Sequence, residues 1–128
     1  MKITLNQKEY KLNFGVGFVI ALDKQYNTEL LDIEFGTGVN TMYMRLQSDN
    51  PSALYEVLKA ALVGQCDLTE TDFDAWVDSL ESDEAYTSFF KELLTNLETR
   101  RQTGRLIANY KKVLDDLEKK QVKKHTNK

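Results

Sequence analysis

Two glycines one residue apart, Gly36-Thr37-Gly38 in the stretch EFGTGVNTMYM, stand before a run that could open a helix. Gly-rich turns leading into helices hold phosphate through their backbone N–H groups, so this loop is the first candidate for chemistry. A P-loop needs Lys and Ser or Thr directly after its last glycine, but Val39 and Asn40 follow Gly38. A dinucleotide fingerprint needs a third glycine at position 41 behind a buried strand, and that residue is Thr41. The loop therefore reads as a tight turn whose glycines supply backbone freedom at positive φ. Gly15-Val16-Gly17 fails the same comparison.

The other reactive groups are as sparse. Asp67, Glu70, Asp72, Asp74 and Asp78 suggest calcium. An EF-hand loop counted from Asp67 would place Asp72 where glycine is required and Asp78 where glutamate is required, so the match fails. These acids read instead as charge that favours a helix N-terminus. Cys66 has no Cys or His at ligand spacing, and zinc needs about four ligands. His125 is the one histidine and lies in a polar stretch where nothing would orient it as a base. No catalytic, cofactor-binding or metal-binding residue is assigned, and an enzyme is not expected.

The elements that would position any site follow from patterning. Ile3 and Leu5, then Tyr10, Leu12 and Phe14, alternate with polar residues about an NQK turn, which predicts an N-terminal β-hairpin. GVGFVIALDKQY is apolar enough for a mostly buried helix that covers it. Residues 27–38 read as a connector, and VNTMYMRLQ as a short helix. Asn50 with Pro51 opens a helix that Gly64 stops. Thr69 caps the next, with Leu68 and Phe73 at hydrophobic-staple spacing and Phe73, Trp76, Val77 and Leu80 on one face. Ser82 caps a helix whose stripe is Tyr86, Phe89, Phe90, Leu93, Leu94 and Leu97. The last helix spans about residues 99–120, with Leu106, Ile107, Tyr110, Val113, Leu114 and Leu117 on one face and Gly104 marking a bend or break.

The expected fold is α+β, mostly α, with an N-terminal β-hairpin followed by four to six helices and a basic, disordered C-terminal tail. Residues 1–120 form one domain and residues 121–128 a flexible tail. A chain of 128 residues with 41% apolar and 29% charged content suits one soluble core, and one cysteine suits a reducing compartment. The start lacks the continuous apolar run of a signal peptide, and nothing approaches the ~20 apolar residues of a membrane span.

Charge is unevenly placed. Residues 1–99 carry 7 Lys/Arg against 17 Asp/Glu, whereas residues 100–128 carry 10 against 3. An acidic body with a basic end points to interaction through the C-terminal segment, with nucleic acid, an acidic protein surface or another copy's body as partner. Aromatic platforms that usually accompany single-stranded binding are missing there apart from Tyr110.

The order of these features resembles the tail assembly chaperones of long-tailed bacteriophages, most closely those of Gram-positive hosts. The resemblance is carried by MKITLNQKEYKLNFGVGFVIALDKQY, the FGTG turn, LYEVLKAAL and LTETDFDAWVDS, and covers residues 1 to about 100. It implies a small, mostly helical, non-enzymatic protein in the cytoplasm of the infected bacterium, absent from the mature virion. It implies binding to the tape measure protein, which is kept soluble for tail tube assembly, with the major tail tube protein and further copies of the chain as other partners. Leu106, Ile107, Tyr110, Leu114 and Leu117 are the candidate partner-binding residues. The competing expectation is a small helical adaptor or regulator that binds nucleic acid through its basic C-terminal segment.

Overall fold

The computed structural model describes residues 1–30 and 33–126, with side chains over 1–26 and 37–120. Strands β1 (Lys2–Leu5) and β2 (Lys8–Lys11) form the expected antiparallel hairpin. Leu5 pairs with Lys8, so the loop is the two residues Asn6 and Gln7, both at positive φ (51° and 69°). That geometry is a type I′ turn, whose handedness matches the twist of the strands. Asn tolerates the left-handed region, but Gln7 has no local compensation for it. Gln7→Gly is expected to stabilise the protein by about 0.5–1 kcal/mol after the glycine's greater unfolded-state entropy is counted, read as a higher urea midpoint. Ile3, Leu5, Leu12 and Phe14 are buried, as alternation requires.

Helix α1 (Val16–Gln25) buries Phe18 and Leu22, while Val16 and Ile20 are exposed. The helix is apolar around much of its circumference, but only one face meets its neighbours, so the expectation of a mostly buried helix is corrected. Residues 27–38 are not a plain connector. Strands β3 (Asn27–Leu30) and β4 (Ile33–Gly36) pair antiparallel there as a second hairpin.

Helices α2 (Gly38–Leu46) and α3 (Pro51–Ala61) pack on α1 and on each other. Asn50 caps α3 by accepting from the Ala53 N–H at 3.0 Å, and Gly64 sits at φ 84° just beyond its end. Thr69 caps α4 (Glu70–Asp78) by accepting from the Asp72 N–H at 3.1 Å. The Asp72 carboxylate accepts from the Asn6 side chain, tying the hairpin turn to α4. Ser82 caps α5 (Asp83–Thr99) through the Ala85 N–H. Tyr55, Phe73, Trp76 and Phe89 form a chain of edge and tilted ring contacts that joins α3, α4 and α5.

Helix α6 runs from Arg101 to Thr126. The expected flexible tail, residues 121–128, falls on positions whose side chains lie outside the described residues. The interruption before α6 is at Arg100, whose backbone is extended, and not at Gly104. Gly104 serves a different purpose. A Cβ there would collide with the carbonyl oxygen of Glu98, so the glycine lets α5 and α6 cross closely after a one-residue turn.

Thr103, the buried polar side chain of this crossing, donates through Oγ1 to the Leu97 carbonyl at 2.6 Å. That carbonyl belongs to the last turn of α5, where intrahelical donors run out. Thr103→Val should cost about 1–2 kcal/mol by leaving a buried acceptor unpaired, measurable as a fall in the unfolding free energy.

Candidate interaction surface

The Gly36-Thr37-Gly38 loop proves closed to a phosphate. The Gly38 N–H at the start of α2 donates to the Asp23 carboxylate at 3.2 Å, which places a negative charge where an anion would bind. Gly38 is buried, and an added Cβ would lie 2.5 Å from the Leu22 backbone. Its role is a close helix–helix approach, and it is not among the glycines at positive φ. The expected freedom of this turn is corrected on that point.

Cys66 is half-buried, and burial pushes its thiol above the ordinary value. That shift disfavours the reactive thiolate. No group of three potential metal ligands occurs among the described residues. The His125 side chain lies outside the described residues. An open cleft of about 510 Å³ lies between the end of β2 and the α5–α6 junction, lined by Lys11, Phe14, Val63, Gln65, Arg100 and Gln102. No acid–base pair or nucleophile stands among those side chains.

The five candidate partner-binding residues divide between core and surface. Ile107 is 2% exposed and packs into the core. Tyr110 is half-buried and directs its hydroxyl at the Met44 sulfur on α2, 3.6 Å away. Leu106, Leu114 and Leu117 are 38%, 43% and 52% exposed, and Val113 between them is exposed too. From Lys111 to Lys120 every residue is exposed, so α6 leaves the body after roughly its first ten residues. The apolar stripe continues beyond the point where its own neighbours stop. Periodicity displays the stripe, but only the packing shows which part of it is unpartnered.

A polar latch marks the departure point. Tyr43 on α2 donates to the Glu98 carboxylate at 2.6 Å, and Lys111 sits over the Tyr43 ring at 5.3 Å and 3.9 Å from the same carboxylate. Burial, then the bond to Glu98, raises the Tyr43 hydroxyl above its ordinary value. The hydrogen bond with Tyr43 raises Lys111, so the lysine remains charged. Three helices thus meet where α6 begins to project, which fixes the direction of the projecting part.

Residues 2–112 match the family described as phage tail assembly chaperone protein, TAC. The chain belongs to that family. No curated protein and no solved structure matches it. The tail assembly chaperone span takes in both hairpins, α1 to α5 and the packed part of α6, and ends at Lys112 beside the latch. Tail assembly chaperones act in the host during assembly and are non-structural. In this chaperone no helix among the described residues is long and apolar enough to cross a membrane.

Proposed function

We propose that this chaperone binds the tape measure protein in the cytoplasm of the infected bacterium and keeps it soluble until tail tube subunits assemble around it. The observation that carries the reading is the apolar stripe of α6, which leaves Leu106, Val113, Leu114 and Leu117 exposed on a helix anchored in the core through Ile107, with the Tyr110 hydroxyl against the Met44 sulfur. A long helical client presents apolar positions at intervals of three and four residues. A helix with the same spacing covers them by side-to-side packing. The contact needs no bond making, so the activity is binding alone.

Binding in this way keeps apolar client surface out of water and away from other client molecules, which is the physical content of a holdase. The stripe is short, so each copy shields only a few turns and a long client takes many copies. Co-expression tests the reading. The tape measure protein should move into the soluble fraction when this chain is present and co-purify with it. A client equally soluble with and without the chain would count against the holdase role.

A further inference from the structure

The open cleft between the end of β2 and the α5–α6 junction has an unusual charge for this body. None of its lining side chains is acidic, although residues 1–99 carry 17 Asp/Glu against 7 Lys/Arg. Its cations are Lys11 and Arg100, both exposed, and neither is in an ion pair among the described residues. A cleft walled by one sign of charge focuses its field and concentrates the opposite sign.

Hydrogen bonds within the wall set what else the cleft presents. Gln65 donates through Nε2 to the Lys11 carbonyl at 2.7 Å, and the Gly15 N–H donates to Asn13 Oδ1 at 2.9 Å. These bonds hold the two amides in opposite senses. Asn13 keeps its NH2 group to offer and Gln65 keeps its Oε1 oxygen, neither with a partner among the described residues. Cations and an amide donor therefore stand beside one unused acceptor. Val63, 60% exposed, adds an apolar contact to the same wall.

We propose that this cleft binds an extended acidic segment of a partner protein. Carboxylates of the segment meet Lys11, Arg100 and the Asn13 NH2 group, a backbone N–H meets Gln65 Oε1, and an apolar side chain covers Val63. The Gln65 oxygen separates this occupant from simpler ones. A fully ionised anion such as sulfate has no hydrogen to give it. A helix has spent its interior N–H groups on its own carbonyls, whereas an extended segment keeps them. That argues against the acids of α4 and α5, which are helical. Charge argues against the chain's own C-terminal end, since residues 100–128 carry 10 Lys/Arg against 3 Asp/Glu. The volume of about 510 Å³ suits a short stretch of chain, and the open form lets the segment enter and leave. The cleft shares no residue with the apolar stripe of α6, so this contact is independent of what the stripe binds.

Fluorescence anisotropy of the full chain with a labelled nonapeptide of alternating glutamate and valine tests this. At about 0.05 M salt the peptide should bind, and a counterpart with glutamine in place of glutamate should bind about tenfold more weakly or worse. Lys11→Gln with Arg100→Gln should lose the glutamate peptide by about tenfold or more, after circular dichroism confirms its helix content. Lys24→Gln with Lys91→Gln removes the same charge from exposed positions outside the cleft and should bind as the wild-type chain does. Sulfate at about 1 mM, too dilute to screen charge, should leave the complex intact. Equal binding of the two peptides overturns the proposal, as does equal loss in the two double variants, which would make the attraction a matter of overall charge. Displacement by sulfate would assign the cleft to a small anion and overturn it too.

Discussion

Phe90→Ala is expected to remove about 3–5 kcal/mol of folding stability, the largest loss from any single side chain considered. Phe90 is fully buried on α5 and stacks edge-on against Tyr86 with ring centroids 5.1 Å apart. It lies in the same core cluster as Leu93 and Leu97 on α5 and Ile107 on α6. Truncation removes the transfer free energy of the ring and leaves a cavity that helices pinned at several caps collapse into only partly. Domains of this size are stable by about 5–15 kcal/mol, so the variant should lie near the limit of folding at 37 °C. Chemical denaturation with far-UV circular dichroism measures it. A loss below about 1 kcal/mol would show that the α5 stripe is not the core that the packing describes.

Gly104→Ala ranks second, and its direction is opposite to the usual rule. In an ordinary helix interior alanine improves on glycine by about 1 kcal/mol. Here the added methyl meets the Glu98 carbonyl oxygen, a backbone atom that cannot rotate aside. Relief requires α5 and α6 to separate, which stretches the Thr103 bond to Leu97 and lifts Ile107 from the core. Overpacking of this kind costs about 1–3 kcal/mol, enough to exceed the helix-propensity gain. A net destabilisation in urea titration is expected, with a change in the direction of the α6 projection that small-angle scattering would register. A gain in stability would mean that the crossing is looser than the geometry states.

Much of this fold is legible in the sequence because its signals are local. Asn50, Thr69 and Ser82 cap their helices through side-chain oxygens placed three residues before the N–H they accept from, and the residue types alone announce that. The first hairpin is legible from its alternation. The second is not, since NTEL and IEFG are short, carry few β-branched residues and flank no Asn-Gly or Asp-Gly turn.

The glycines divide in the same way. Gly64 ends α3 at positive φ as a helix-stop glycine should, whereas Gly38 and Gly104 answer to backbone atoms from another helix. A sequence shows that a glycine is present, but a close approach is a tertiary fact. For the same reason the stripe from Leu106 to Leu117 reads as one face. Its division into a buried anchor at Ile107 and an exposed end at Leu114 and Leu117 depends on neighbours far away in the chain.

The most direct test of the central claim is recovery of the tape measure protein with wild-type chain and with Leu114→Glu/Leu117→Glu. Both positions are exposed and Glu is a good helix former, so the variant should fold with unchanged stability. Placing two charges on the apolar stripe should lower the amount of client held soluble and co-purified by about tenfold or more. A variant that holds as much client as the wild-type chain would contradict the assignment of this surface.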